Sequence, residues 1–86
     1  MSKIFVLYQY VNDYDQPDCP VVIFSEKPTI KELKLLFKDA EEVYITTGRL
    51  KKLLEGDWIY NTKSGEKESH VYHAYCLQEH CFGEWL

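Results

Sequence analysis

Histidine and cysteine side chains are concentrated near the end of this 86-residue sequence, in the pattern His70-x-x-His73-x-x-Cys76-x-x-x-His80-Cys81. Imidazole nitrogens and thiolates are ligands that Zn²⁺ prefers in a tetrahedral site. On a helix, His73, Cys76 and His80 would share a face. The valine and tyrosine content instead favours a strand, on which His73 and Cys76 point to opposite faces. His73, Cys76, His80 and Cys81 are therefore a candidate metal site, with ordinary strand and tail residues as the alternative interpretation.

The same residue types also raise the question of a catalytic nucleophile, because a Cys–His pair can be brought together by folding. Neither Cys76 nor Cys81 lies in a recognisable catalytic sequence, and the four glycines form no Gly-rich phosphate loop. A domain of this size would also have to build a preorganised pocket around any catalytic group. The sequence therefore predicts a protein that is not an enzyme and that needs no cofactor.

A second cluster combines three carboxylates with one aromatic ring in a proline-containing segment: Asp13, Tyr14, Asp15 and Asp18. Calcium chelation needs oxygen ligands at fixed offsets and a terminal glutamate, whereas this segment is interrupted by prolines and lacks that glutamate. Tyrosine is favoured at protein interfaces because it combines contact area with a hydroxyl group. We interpret these four residues as a protein-binding loop, with a solvated turn as the alternative.

Aromatic residues make up 15% of the chain, and seven of them are tyrosines. A core this small cannot bury so many tyrosines with every hydroxyl satisfied, so some must reach the surface. Surface tyrosine and tryptophan indicate a binding face for a protein or for the ring of a small ligand, and sheet-edge tyrosines with hydrated hydroxyls are the alternative. For a nucleotide-like ligand, we expect Tyr44, Arg49 and Tyr60 to supply stacking and positive charge.

Composition and charge disfavour several classes of partner and several cellular compartments. The formal net charge is -4 and Arg49 is the single arginine, which disfavours nucleic acid as the main partner. No apolar run approaches the roughly 20 residues that span a bilayer, and no signal-like segment is present, so we expect no membrane and a cytoplasmic location. Three cysteines are an odd number, which argues against a disulfide framework and fits a reducing compartment.

Hydrophobic periodicity predicts the elements that position these residues. Both faces of the segment 3–11 are apolar, which is typical of a central strand. A capping box at Thr29 and Glu32 opens a helix, and its lysines Lys31, Lys34 and Lys38 share the solvent side. The predicted strands are 3–11, 21–25, 42–46, 57–61 and 69–77, with a second helix over 48–55. We expect a single domain, 1–86, of the α+β class: a small, mainly antiparallel sheet of about five strands in ββαβαββ order, with two helices packed on one face.

The first half of the chain resembles small phage-encoded accessory proteins. The resemblance rests on the strand 3–8, the acidic loop, the strand 21–25 and the capped helix, in that order. Some proteins of that kind block host defence or host enzymes, and they often act by binding. The resemblance therefore implies a binding function and carries over no catalytic residues.

Together these patterns favour a non-enzymatic binding protein, phage-encoded by the resemblance, that inhibits or modulates a host defence protein by protein–protein occlusion. Its expected partners are a host protein and, through a sheet edge, a second copy of the chain. The alternatives are a small-ligand binder that sequesters a nucleotide-like signal and a zinc-stabilised interaction module.

Overall fold

The computed structural model of the protein describes residues 3–12 and 19–81. Its elements, in chain order, are β1 (Lys3–Val11), β2 (Cys19–Phe24), α1 (Ile30–Asp39), α2 (Thr47–Leu54), β3 (Ile59–Tyr60) and β4 (His73–Cys81). The strands form one antiparallel sheet in the order β2-β1-β4-β3. The predicted α+β class, the antiparallel sheet and the two helices are therefore confirmed.

The number and order of the strands differ from the prediction. The described residues form four strands in ββααββ order, and the predicted strand over 42–46 does not form. The reason is that side chains, not a neighbouring strand, satisfy this backbone: the Tyr44 amide donates to Asn61 Oδ1 at 2.9 Å, and the Tyr44 carbonyl accepts from Arg49 at 2.5 Å. Val43, the residue before Tyr44, is 78% exposed.

The last strand begins four residues later than the sequence suggested, because it pairs along the whole length of β1. The pairing runs from Lys3 opposite Cys81 to Val11 opposite His73. Residues before His73 are held by side chains instead, and the Tyr72 amide donates to Asn12 Oδ1 at 2.7 Å. β1 thus pairs with a strand on each side, which confirms the prediction of a central strand.

Helix α1 begins as its capping box predicts. The Glu32 amide donates to Thr29 Oγ1 at 3.2 Å, and the Thr29 amide donates back to the Glu32 carboxylate at 3.3 Å. Helix α2 has only eight residues, which is too short to be stable alone, and its Leu50 and Leu53 are completely buried. Neither helix of the described chain is long and apolar enough to cross a membrane.

The core lies between the two helices and one face of the sheet. Its buried members come from both helices and from β1, β3 and β4: Leu7, Leu33, Phe37, Leu50, Leu53, Ile59, Tyr75 and Leu77. Because side chains alternate along a strand, this covered face takes every second residue of β1 and β4. The other residues of those strands form a second face, on which no described helix packs.

Candidate functional site

The second sheet face is rich in aromatic side chains. It carries Tyr8 and Tyr10 from β1, Tyr60 from β3, and Trp58 and Tyr72 just before β3 and β4, around Ala74 and Cys76 of the central strand β4. We call these seven residues the aromatic face. The sequence predicted a binding face from its tyrosine content, and the strand pairing shows which tyrosines share one surface.

Strand register arranges the aromatic face in rows. Tyr10 and Tyr60 both pair with Ala74, so the three side chains lie on one line across β1, β4 and β3. Tyr8 lies opposite Cys76 in the next row of β1 and β4. The central strand therefore presents its two smallest side chains between larger aromatic ones, which creates a groove along β4.

This groove has a volume of about 380 Å³ and is lined by Tyr10, Trp58, Tyr60, Lys67, Tyr72 and Ala74. Pockets for small ligands begin at roughly 300 Å³ and typically combine aromatic walls with a few polar groups. Among the described residues that line the groove, the polar groups are the tyrosine hydroxyls and one cation, Lys67, which comes from the loop between β3 and β4. The groove thus combines aromatic walls with a positive charge from Lys67.

The rings of the groove are held at defined angles. Tyr60 and Tyr72 meet edge to face, with ring centroids 5.7 Å apart and planes at 80°. Such pairs are worth about 0.5–1.5 kcal/mol beyond the area they bury. The contact fixes the orientation of Tyr60, whose ring forms one wall of the groove, so this wall is preorganised.

Farther along the same face, Tyr8 contacts His80. The Tyr8 hydroxyl lies 3.2 Å from His80 Nε2, and the two rings meet edge to face with centroids 6.2 Å apart. His80 is one of the four residues of the candidate metal site. Its ring nitrogen is engaged by a tyrosine from the neighbouring strand.

The structure does not bring the four candidate metal ligands together. His73 lies on the covered face of β4, whereas Cys76 and His80 lie on the second sheet face. Cys76 is buried and its Sγ lies 3.8 Å from the Gly56 carbonyl oxygen. Within residues 3–12 and 19–81, no group of three or more His, Cys, Asp or Glu side chains is arranged to hold a metal ion.

Arg49 has a different position from the one its charge suggested. Its Nη1 donates to the backbone carbonyls of Tyr44 at 2.5 Å, Tyr60 at 3.1 Å and Thr62 at 2.6 Å, and its Nη2 donates to Lys63 at 3.4 Å. The predicted trio Tyr44, Arg49 and Tyr60 is therefore brought together through two main-chain carbonyls. The guanidinium thus joins α2 to the segment before it, to β3, and to the residues that follow β3.

A buried carboxylate that the sequence did not single out lies on the covered face. Glu42, whose side chain is 6% exposed, accepts from the Tyr75 hydroxyl at 2.5 Å and lies 2.7 Å from His73 Nδ1. The Asn61 amide group also donates to it. Burial, and then the hydrogen bond to Glu42, raise the pKa of the Tyr75 hydroxyl well above its usual range, so Tyr75 stays a proton donor.

Glu42 and its partners Asn61, His73 and Tyr75 form a cluster. This cluster joins three parts of the fold: the connection between α1 and α2, the loop after β3, and β4. His73 and Tyr75 share a face because they are two residues apart on a strand, which the sequence does show. Nothing local in the sequence, however, indicates that Glu42 turns inward to meet them. The loop residues Asp13, Tyr14, Asp15 and Asp18 lie outside the described residues.

No protein-family model, curated protein or solved structure matches this chain. The site is therefore interpreted from its own geometry.

Proposed function

We propose that this chain is a non-enzymatic binding protein and that the aromatic face is its recognition surface. The observation that carries the proposal is the row in which Tyr10 and Tyr60 flank Ala74, with Trp58 and Tyr72 beside it. Tyrosine and tryptophan are the residues most often found at the energetic centre of interfaces, since they add large contact area at low entropic cost.

The polar clusters support a binding function rather than a reaction. His73 and Tyr75 both contact the buried Glu42 carboxylate, and Arg49 contacts four backbone carbonyls. These side chains have acid–base or anion-binding chemistry, and in the structure each of them joins separate segments of the fold. The groove on the aromatic face offers rings, hydroxyls and Lys67, which are groups for recognition.

The leading proposal for the occupant is a partner protein that the chain inhibits by occlusion. The resemblance of the first half of the sequence to phage accessory proteins supports a host protein as that partner. The second candidate function is sequestration of a nucleotide-like ligand, which the size of the groove and the position of Lys67 favour.

The test compares tagged wild-type protein with a Tyr10→Ala/Tyr60→Ala double variant as bait in a host lysate. Leu35→Ala is the control, because Leu35 is an exposed apolar residue of α1 outside the aromatic face. Each protein that the wild type captures is purified and titrated against all three chains. We expect the double variant to raise the Kd at least about tenfold and the control to leave it unchanged. Equal Kd values for the double variant and the wild type would contradict the proposal.

A parallel bait carrying Tyr14→Ala and Asp15→Ala tests the loop predicted from the sequence. If this bait loses the partner while the Tyr10→Ala/Tyr60→Ala variant fully retains it, the contact surface is the loop and not the aromatic face.

A further inference from the structure

Strand β2 has an open outer edge. In the sheet order β2-β1-β4-β3 it pairs with β1 on one side, and among the described residues no strand pairs with its other side. The outer side of an edge strand presents backbone amides and carbonyls that can pair with another strand. The opposite edge of the sheet differs, because β3 has only the two residues Ile59 and Tyr60. β2 therefore offers the longer edge for a further strand.

The side chains of β2 are uncharged and partly exposed. Its residues Cys19–Phe24 include no lysine, arginine, aspartate or glutamate. Val21 is 47% exposed and Ile23 is 66% exposed, although both are apolar. Exposed apolar side chains on an open strand edge mark a site where another chain can pair.

Protection against such pairing is confined to the start of β2. Edge strands are commonly protected by a proline, by a β-bulge or by charged side chains. Pro20 has no amide hydrogen to donate, and Val21 is the extra residue of a bulge against β1. The next residues, Val22–Phe24, pair regularly with β1. This regular part of the edge can accept a further strand.

Two copies of β2 are complementary to each other. Antiparallel pairing about a two-fold axis through Ile23 places this residue opposite its own copy, and places Val22 opposite Phe24 of the second copy. Like charges directly opposite each other would destabilise such a pair, and β2 carries no charge. The pairing covers the exposed Ile23 and leaves Pro20 outside the paired stretch.

The covered side of the sheet has space next to this edge. A cavity of about 200 Å³ is bordered by β2 and α1, and its lining includes Val22, Leu36, Phe37 and Ala40. Val22 and Phe24 both pack against the core on this side. In the two-fold pairing, Phe24 of the second copy lies next to Val22, which forms a wall of the cavity. Each copy supplies one ring and one cavity, as a two-fold interface requires.

We propose that the chain forms a symmetric dimer in which β2 pairs antiparallel with β2 of a second copy, with the two-fold axis at Ile23. The inference goes beyond the proposed function, since the aromatic face takes no part in the contact. The two sheets become one continuous sheet, and the axis is perpendicular to it. The aromatic faces of both copies therefore lie on the same side, where the dimer presents two recognition surfaces.

The experiment is sedimentation equilibrium of the full chain in the presence of a reductant, so that disulfides between copies do not contribute. We expect a mass that rises with concentration toward twice the 10.2 kDa of one chain, with a Kd below about 100 µM. Ile23→Lys should raise this Kd at least about tenfold, because it places two ammonium groups at the axis. Val71→Lys is the matched control: Val71 is an exposed valine outside β2, so the Kd should stay that of the wild type.

A mixture of two variants tests the position of the axis. Ile23→Lys and Ile23→Glu should each be monomeric alone, whereas an equimolar mixture should dimerise, because lysine then lies opposite glutamate. Thermal unfolding of each variant shows that the monomer still folds, as expected for a change at an exposed residue.

Three results would overturn the inference. The first is a wild-type chain that stays at 10.2 kDa up to about 500 µM, and the second is an Ile23→Lys variant that dimerises as the wild type does. The third is an equimolar mixture of the lysine and glutamate variants that stays monomeric, since the two side chains would then not meet at the axis.

Discussion

Tyr10 and Tyr60 stand on opposite sides of Ala74, in one row that crosses strands β1, β4 and β3. The two tyrosines belong to strands that do not touch each other, and only the pairing of each with β4 brings them into the same row. Because of this pairing, two of the seven tyrosines line the same groove, on either side of Ala74. The proposed recognition surface depends on this row.

Arg49 is predicted to be a major source of stability, since its guanidinium donates to four backbone carbonyls. Arg49→Lys should lower the free energy of unfolding by about 2 kcal/mol, because one ammonium group cannot reach all four acceptors. Urea denaturation measures this change. Lys51→Ala, on an exposed position of the same helix, should change it by less than about 0.5 kcal/mol. Equal stability of Arg49→Lys and the wild type would show that the contacts contribute little.

Any side chain at Gly65 is predicted to lower the stability of the protein. Its φ of 80° lies in the left-handed region, and a Cβ there would meet Arg49 Nη2 at 2.9 Å. Because the carbonyl contacts hold this guanidinium in place, Gly65→Ala should cost about 1 kcal/mol or more, measured by urea denaturation.

Gly48 provides the matched control for that substitution. It lies in the first turn of α2, its backbone needs no positive φ, and a Cβ there would meet only Thr46 Oγ1 at 3.9 Å. Gly48→Ala should therefore stabilise the protein by about 0.4–1 kcal/mol. Opposite signs for the two glycines are the expected result, and the same sign for both would contradict the backbone argument.

Tyr75 is predicted to make stability fall at high pH. Burial, and then its hydrogen bond to Glu42, raise the pKa of its hydroxyl above the usual 10.0. A group whose pKa is raised by folding stabilises the folded state while it is protonated. Its contribution is therefore complete below about pH 10 and is lost as the pH rises further, at up to about 1.4 kcal/mol per pH unit.

The variant Tyr75→Phe separates this effect from the titration of other groups. At neutral pH it should be less stable by about 1–2 kcal/mol, because Glu42 and Gln9 lose a hydrogen-bond partner. Above pH 10 its unfolding free energy should fall less steeply than that of the wild type. Tyr44→Phe, at an exposed tyrosine, should keep the wild-type slope. A wild-type slope in Tyr75→Phe would assign the alkaline loss to other residues.

Local signals in the sequence predicted the parts of the fold that local physics determines. The capping box at Thr29 and Glu32 marked the start of α1, and the two apolar faces of β1 marked it as a central strand. The segment 42–46 has strand-forming residues, but the side chains of Asn61 and Arg49 bind its backbone. Asn61 lies 17 residues after Tyr44 and Arg49 only five, and no pattern in the sequence indicates that either side chain binds this backbone.

The sequence predicted a binding face but not which residues lie together on it. The tyrosine content indicated a binding face, and Tyr60 was among the expected ligand residues. Its grouping with Tyr10 and Ala74 depends on the register of three strands, which periodicity alone does not determine. The charge of Arg49 suggested a ligand contact, whereas its fixed fork of donors matches the cluster of carbonyls around it.

The central claim is that the aromatic face is the recognition surface, and the affinity of a captured partner for the Tyr10→Ala/Tyr60→Ala variant tests it most directly. We predict a Kd at least about tenfold above that of the wild type, because the two tyrosines supply contact area at the centre of this face. The Leu35→Ala control should keep the wild-type Kd. A Kd for the double variant equal to that of the wild type would contradict the claim.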